Sequence, residues 1–272
     1  MANPGLIWLD ESSAQRAISE KERAGAITAT EAANLKKFSE DGYFIVPVEL
    51  TAGDVATIDG DVDRLWRERP SDVAFAYDSP PRRFSEAVAA SDRRPRYRIH
   101  ELHSASDVAL RLYLHPLLHR YASLLLGETA VATQSLYFEF GSQQALHRDS
   151  TVVPTPEFGR LVAAWIALED IAPESGPLMY VPQSQRFPFY EFSMWHSALM
   201  HGGAPPANEA RTRKSFVVHY STLRTHPSRE CAVREMIQGV DGESVFSTDS
   251  ILDRDGARGF ANPLHGTMIY RR

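Results

Sequence analysis

The chain has 272 residues and is 43% hydrophobic, enough apolar material for one domain with a full core. Its 29 Lys plus Arg against 35 Asp plus Glu leave a formal charge of -6, which speaks against a general nucleic-acid binder, because phosphate recognition relies on clustered positive charge. With Cys231 as the one cysteine, an intrachain disulfide and a multi-thiolate zinc site are excluded, so any metal has to sit on histidines and carboxylates.

The N-terminus meets Asp10 before an apolar signal core forms, and the most apolar stretch, 110–132, is broken by His115, Pro116, His119, Arg120 and Glu128. A cytoplasmic protein without a membrane span is the expectation. Thr28 and Glu31 form a capping box for a helix that Gly42 stops, and the aromatic, β-branched run after Gly42 predicts a strand. Thr51 and Asp54 open a second helix, with Val55, Ile58, Val62 and Leu65 on one face and Pro70 as its stop. A third helical region spans 106–126, with Pro116 as a break or restart and Gly127 as its end.

Beyond Glu128 the segments shorten and turn β-branched and aromatic, divided by Pro and Gly. Strands are predicted at 131–140, 146–152, 160–171, 176–182, 194–200 and 214–222, with 268–270 as a closing strand. Short strands in series point to an antiparallel sandwich or barrel. The expected organisation is one domain over 1–272, a helical layer to about residue 130 followed by a β core.

Within QQALHRDST, a strand would put His147 and Asp149 on one face, although chance readily supplies a His-x-Asp pair. Further on, His201 ends an apolar run before Gly202 and Gly203, which let the backbone turn sharply. Twelve residues later Arg213 opens a strand, where its fixed fork suits a bidentate carboxylate. Two imidazoles and one carboxylate on a metal leave three positions open, enough for a bidentate 2-oxo acid and O2. His219 alternates with Arg213 and reads as a hydrogen-bonded core histidine; His115 and His119 read as packing residues. The arginine run at 93–98 reads as a solvated segment, with Arg98 and His100 as candidate substrate contacts on one strand face.

The order HRD, WIALEDI, SGPLMYVPQSQ, HSALMHGG and RKSFVVHY, with SEDGYFIVPVELTAGDV upstream, resembles the phytanoyl-CoA dioxygenase family of Fe(II)/2-oxoglutarate oxygenases. The resemblance implies a mainly β protein with flanking α-helices, its core a double-stranded β-helix (jelly roll, cupin-like). It implies iron on His147, Asp149 and His201, the distal carboxylate of 2-oxoglutarate on Arg213, Trp165 packed near the site and Tyr137 as a polar contact to the co-substrate. The implied reaction uses O2 to hydroxylate a small acyl, amino-acid-derived or natural-product substrate, releasing succinate and CO2. Halogenating relatives carry a small residue where Asp149 stands, so the aspartate points to hydroxylation or another hydrogen abstraction. Two departures stand out: twelve residues (183–194) lie where relatives carry a longer, substrate-covering loop, and Pro182-Gln183-Ser184-Gln185 replaces a Pro-Gly-Ser-His turn. Two other readings are a metal-dependent hydrolase, which has no use for Arg213, and a jelly-roll binding protein, which would be expected to have lost a ligand.

Overall fold

The computed structural model describes residues 7–71, 73–76, 82–84, 90–93, 97–151, 153, 159–186, 198–222, 225, 234–238 and 244–247. Helices α1 (Ala14–Arg23), α2 (Ala29–Asp41), α3 (Ala52–Glu68), α4 (Asp107–Tyr113) and α5 (Pro116–Leu126) form the flanking layer. Both capping boxes are present: the Thr28 and Thr51 side chains accept from the backbones of Glu31 and Asp54, whose carboxylates take the cap N–H groups in return. Helix α3 stops one residue before Pro70, on a left-handed Arg69. Helix α1 is not among the predicted elements; it buries only Ala14 and Ile18 and has no side-chain cap to mark its start. None of the described helices is long and apolar enough to cross a membrane.

The run after Gly42 is extended without being a strand. Residues 43–50 alternate in exposure, with Phe44, Val46 and Val48 half-buried and Ile45 and Pro47 exposed, but make no ladder among the described residues. Phe44 packs on Phe38 and Tyr121, at ring distances of 5.9 and 5.0 Å.

The large sheet runs β2 (Arg82–Arg83), β1 (Ala74–Ala76), β3 (Arg98–His100), β4 (Ala130–Phe138), β8 (Ser215–Thr222) and β5 (Val162–Ala167), all pairs antiparallel. The β9 (Arg234–Gln238) and β10 (Ser244–Ser247) hairpin joins near the start of β4 through one parallel pair. Strands β6 (Leu178–Tyr180) and β7 (His201–Gly203) make a second sheet. The result is a mainly β protein with flanking helices, although three short strands fall inside the stretch read as a helical layer. The expected closing strand at 268–270 lies outside the described residues.

Strand β8 sits between β4 and β5 and explains the two sides of the sheet. Its Phe216, Val218 and Tyr220 are buried in one cluster with Ile58 and Val62 of α3 and Leu125 of α5. The intervening residues turn the other way, towards the second sheet. Arg93, from the run read as solvated, is tied inward: its guanidinium forks onto Glu139 at 3.0 Å twice, and Tyr97 donates to the same carboxylate at 2.5 Å. Arg94 and Arg96 lie outside the described residues.

Truncating the helix-facing side chain in Phe216→Ala is expected to cost about 3–5 kcal/mol. Val217→Ala, on the other face and half-buried, should cost clearly less; urea unfolding of the two variants checks which face is the core.

Candidate metal centre

The residues of β8 that turn away from the helices, Ser215, Val217 and His219, line a cavity of about 610 Å³ together with Arg213 just before the strand. Leu136 and Phe138 of β4 and Trp165 of β5 face the same space. From the second sheet come Leu178, Tyr180 and His201, and the extended segment at 43–50 supplies much of the apolar wall.

His147 and Asp149 are not on a strand as expected. His147 forms an isolated antiparallel bridge with His201, its N–H donating to the His201 carbonyl at 2.8 Å and its carbonyl accepting from the His201 N–H at 3.1 Å. Asp149 opens a 3-10 turn, Asp149–Thr151. The bridge places the two imidazoles side by side, with ring centroids 4.4 Å apart, and the turn swings the carboxylate in beneath them. Ligand atoms of His147, Asp149 and His201 all lie within 4.8 Å of one another. His201 starts its strand rather than ending one, and most of the strand expected at 194–200 lies outside the described residues.

Gly202 and Gly203 belong to β7 and serve close approach, not a turn. A Cβ on Gly202 would lie 2.8 Å from the Gln144 carbonyl, and one on Gly203 would lie 2.7 Å from Arg213 Nη2. Gly141 closes the other side of the arginine: it is left-handed (φ +69°), and its Cβ would meet the guanidinium at 2.2 Å. Arg213 is thereby slotted between two glycines, 2% exposed, and its Nε and Nη1 have no hydrogen-bond partner among the described residues. Ser215, two residues on, presents a buried hydroxyl that likewise has none. Burial lowers the Arg213 pKa, yet a guanidinium stays charged, so the slot presents a fixed positive charge to the cavity. Arg211 is exposed.

The protonation states suit a metal. Burial pushes His201 down to about 3, leaving the neutral imidazole that ligates. Burial pushes the Asp149 carboxyl up, but His219, His201 and His147 outweigh it and hold the group below its ordinary value, as the anion. His219 contacts that carboxylate directly, Nε2 to Oδ2 at 3.0 Å. It is hydrogen-bonded as expected, but it lines the cavity and not the core, and its partner, seventy residues away, has no local signature in the sequence. His147 is fixed through Nδ1, which lies 2.9 Å from the Ala145 carbonyl.

Other expected site residues are placed elsewhere. Tyr137 alternates with the cavity-lining Leu136 and Phe138, so it points into the helix-packed core, where it is 1% exposed, and does not line the cavity. Arg98 and His100 pair with Phe138 and Leu136 and share their face, but β3 lies one strand further out and neither residue reaches the cavity wall. His119 is buried, with Nε2 3.0 Å from the Ala130 carbonyl, a packing role as expected.

A family profile described as "Phytanoyl-CoA dioxygenase (PhyH)" matches residues 38–192, more than half of the chain. The "Phytanoyl-CoA dioxygenase domain-containing protein 1" of Bos taurus is 25% identical over 275 residues, covering 87% of this chain and 82% of its own length. The Mus musculus protein of the same name is 32% identical over 89 residues, 31% of each chain. Among solved structures, the epimerase SnoN in complex with Fe3+, alpha ketoglutarate and nogalamycin RO superposes with a TM-score of 0.56 at 19% identity, covering 73% of this chain and 86% of that one. EctD from S. alaskensis with 2-oxoglutarate and 5-hydroxyectoine gives 0.52 at 22% identity, covering 74% and 78%. At such identities the likeness establishes the fold, a jelly roll, and nothing finer.

Gly141→Ala should lose about 1–2 kcal/mol for a left-handed alanine, plus the displacement of Arg213. Combined with Arg213→Met, which removes the colliding fork, the double variant should be less destabilised than the sum of the two single ones. A urea-denaturation double-mutant cycle reads that coupling.

Proposed function

The chain belongs to the phytanoyl-CoA dioxygenase family, and from that premise we propose that it is an Fe(II)- and 2-oxoglutarate-dependent dioxygenase that hydroxylates a small organic substrate. The observation that carries the reading is the buried Arg213 fork, without a carboxylate among the described residues, opening into the same cavity as the His147, Asp149 and His201 cluster. A 2-oxo diacid answers both features: its keto-carboxylate end suits a metal, and its distal carboxylate suits the fork.

His147, Asp149 and His201 would hold the iron; two neutral imidazoles and one carboxylate are the donor set of non-haem Fe(II) oxygenases. Bound iron with 2-oxoglutarate and O2 supplies the oxidant that removes a substrate hydrogen, with succinate and CO2 as co-products. Arg213 and the Ser215 hydroxyl would fix the distal carboxylate, and thereby the depth and orientation of the co-substrate. Trp165, half-buried on the cavity face, shapes the wall beside it. The apolar wall of 43–50 and Leu136, Phe138 and Leu178 excludes water from the reacting centre, and a cavity of about 610 Å³ suits a small molecule. Asp149 fills the position that a halide would need, which favours hydroxylation. On this reading 1–272 acts as one catalytic domain, since α5 adds Leu118, Tyr121, Ala122 and Leu125 to the wall of the cavity that carries the site.

A zinc hydrolase could use the same three ligands, but would leave the cost of burying Arg213 without a return.

Anaerobic addition of Fe(II) and 2-oxoglutarate should produce the weak visible charge-transfer band of the chelate, and Asp149→Ala should remove it; a wild-type protein without the band would refute the co-substrate assignment. Arg213→Ala should raise the 2-oxoglutarate requirement through loss of a charge-assisted pair worth about 2–4 kcal/mol. Its Fe(II) requirement should stay close to wild type, and succinate formation titrated against each component separates the two.

A further inference from the structure

We propose that His219 is a positioning residue that reserves one oxygen of Asp149, so that the carboxylate offers the metal a single atom. The inference rests on the iron reading above. His219 stands on the cavity face of β8, paired with Gln134 of β4 on one side and Ala163 of β5 on the other. Two flanking ladders give its ring a rigid base. Its side chain is 3% exposed, and Nε2 lies 3.0 Å from Asp149 Oδ2. The other oxygen, Oδ1, is the one turned to the ligand cluster, 3.9 Å from His147 Nε2.

The ring has no competing hydrogen bond: Nδ1 is buried and has no partner among the described residues. A hydrogen shared between Nε2 and a carboxylate oxygen must be carried by the nitrogen, since an ionised carboxylate only accepts. His219 therefore donates to Oδ2 and ties up one lone pair of that oxygen.

Asp149 needs such a restraint because of where it sits. A ligand on a strand is held by its ladder, whereas Asp149 begins a three-residue 3-10 turn, and a free carboxylate can grip a cation with both oxygens. Bidentate binding would raise the protein's share of a six-coordinate metal from three positions to four. A bidentate 2-oxo acid would then take the last two, and a diatomic gas would find none. The 3.0 Å contact opposes that rotation, because a chelating Asp149 would have to give up the His219 bond.

The test uses nitric oxide as a stand-in for O2 on the full-length protein, loaded anaerobically with Fe(II) and followed by electron paramagnetic resonance, with and without saturating 2-oxoglutarate. Wild type should give the nitrosyl signal under both conditions. His219→Phe should give it without 2-oxoglutarate and lose it by about tenfold or more when the co-substrate is added. His219→Asn, too short to span the gap but gentler on packing, should behave the same way, and His219→Gln, whose amide N–H can reach the oxygen, should restore the signal. Variants that keep the wild-type signal with 2-oxoglutarate present overturn the inference. So does equal loss of Fe(II) binding in all three variants, which marks a merely structural histidine. A wild-type protein that binds Fe(II) and nitric oxide without any response to 2-oxoglutarate overturns the co-substrate reading, and the inference with it.

Discussion

A strand residue can face only one of two ways, and β8 uses both faces at full strength. Phe216, Val218 and Tyr220 enter the core beneath the helices, while Ser215, Val217 and His219 enter the cavity in line with Arg213. A register slip of one residue would exchange the two sets and bury polar groups in the helix core. The stability of the sheet and the geometry of the site are therefore one constraint. The apolar face sets the register, and the register delivers the arginine, the serine and the histidine to their places.

That constraint explains which parts of the site are legible in the sequence. Capping boxes at Thr28 and Thr51 are local, spanning three residues, and both predicted helices form where those signals stand. Alternation is local too, which is why Arg213 and His219 could be read as sharing a face. What alternation does not say is which face becomes the cavity. Tyr137 sits between Leu136 and Phe138, and only its pairing with Phe216 of β8, far along the chain, assigns it to the core. The same limit applies to Arg98 and His100, whose face is that of the site but whose strand lies too far out.

His147 and Asp149 show the opposite case, a pair that converges as expected but from a different element. The two-residue spacing suggests a strand, but the convergence comes from a bridge between His147 and His201 followed by a tight turn. Glycine at 202 and 203 permits that approach, since a β-carbon on either would strike the segment leading to His147 and Asp149 or the arginine behind it. The glycines are visible in the sequence; the backbone they admit is not, because it belongs to a segment more than fifty residues away.

The charges of the site leave a further consequence. Asp149 contributes one negative charge and Arg213 one positive, both in largely buried positions, so the cavity's own side chains are near balance. On the proposed reading, a divalent cation and a 2-oxo dianion enter it together, and the sum is again near zero. Either alone would leave two uncompensated charges in a medium where burial is expensive. Metal and co-substrate are thus coupled through the field of the cavity as well as through direct bonds. Each should bind more tightly once the other is present, and the coupling is reciprocal because it is a free energy shared by both sites. Removing the Arg213 charge would leave the cavity's own side chains net negative, which penalises the dianion without opposing the cation. The two ligands' requirements are expected to separate at that residue for this reason, and the separation belongs to the electrostatics of burial as much as to the geometry of the fork.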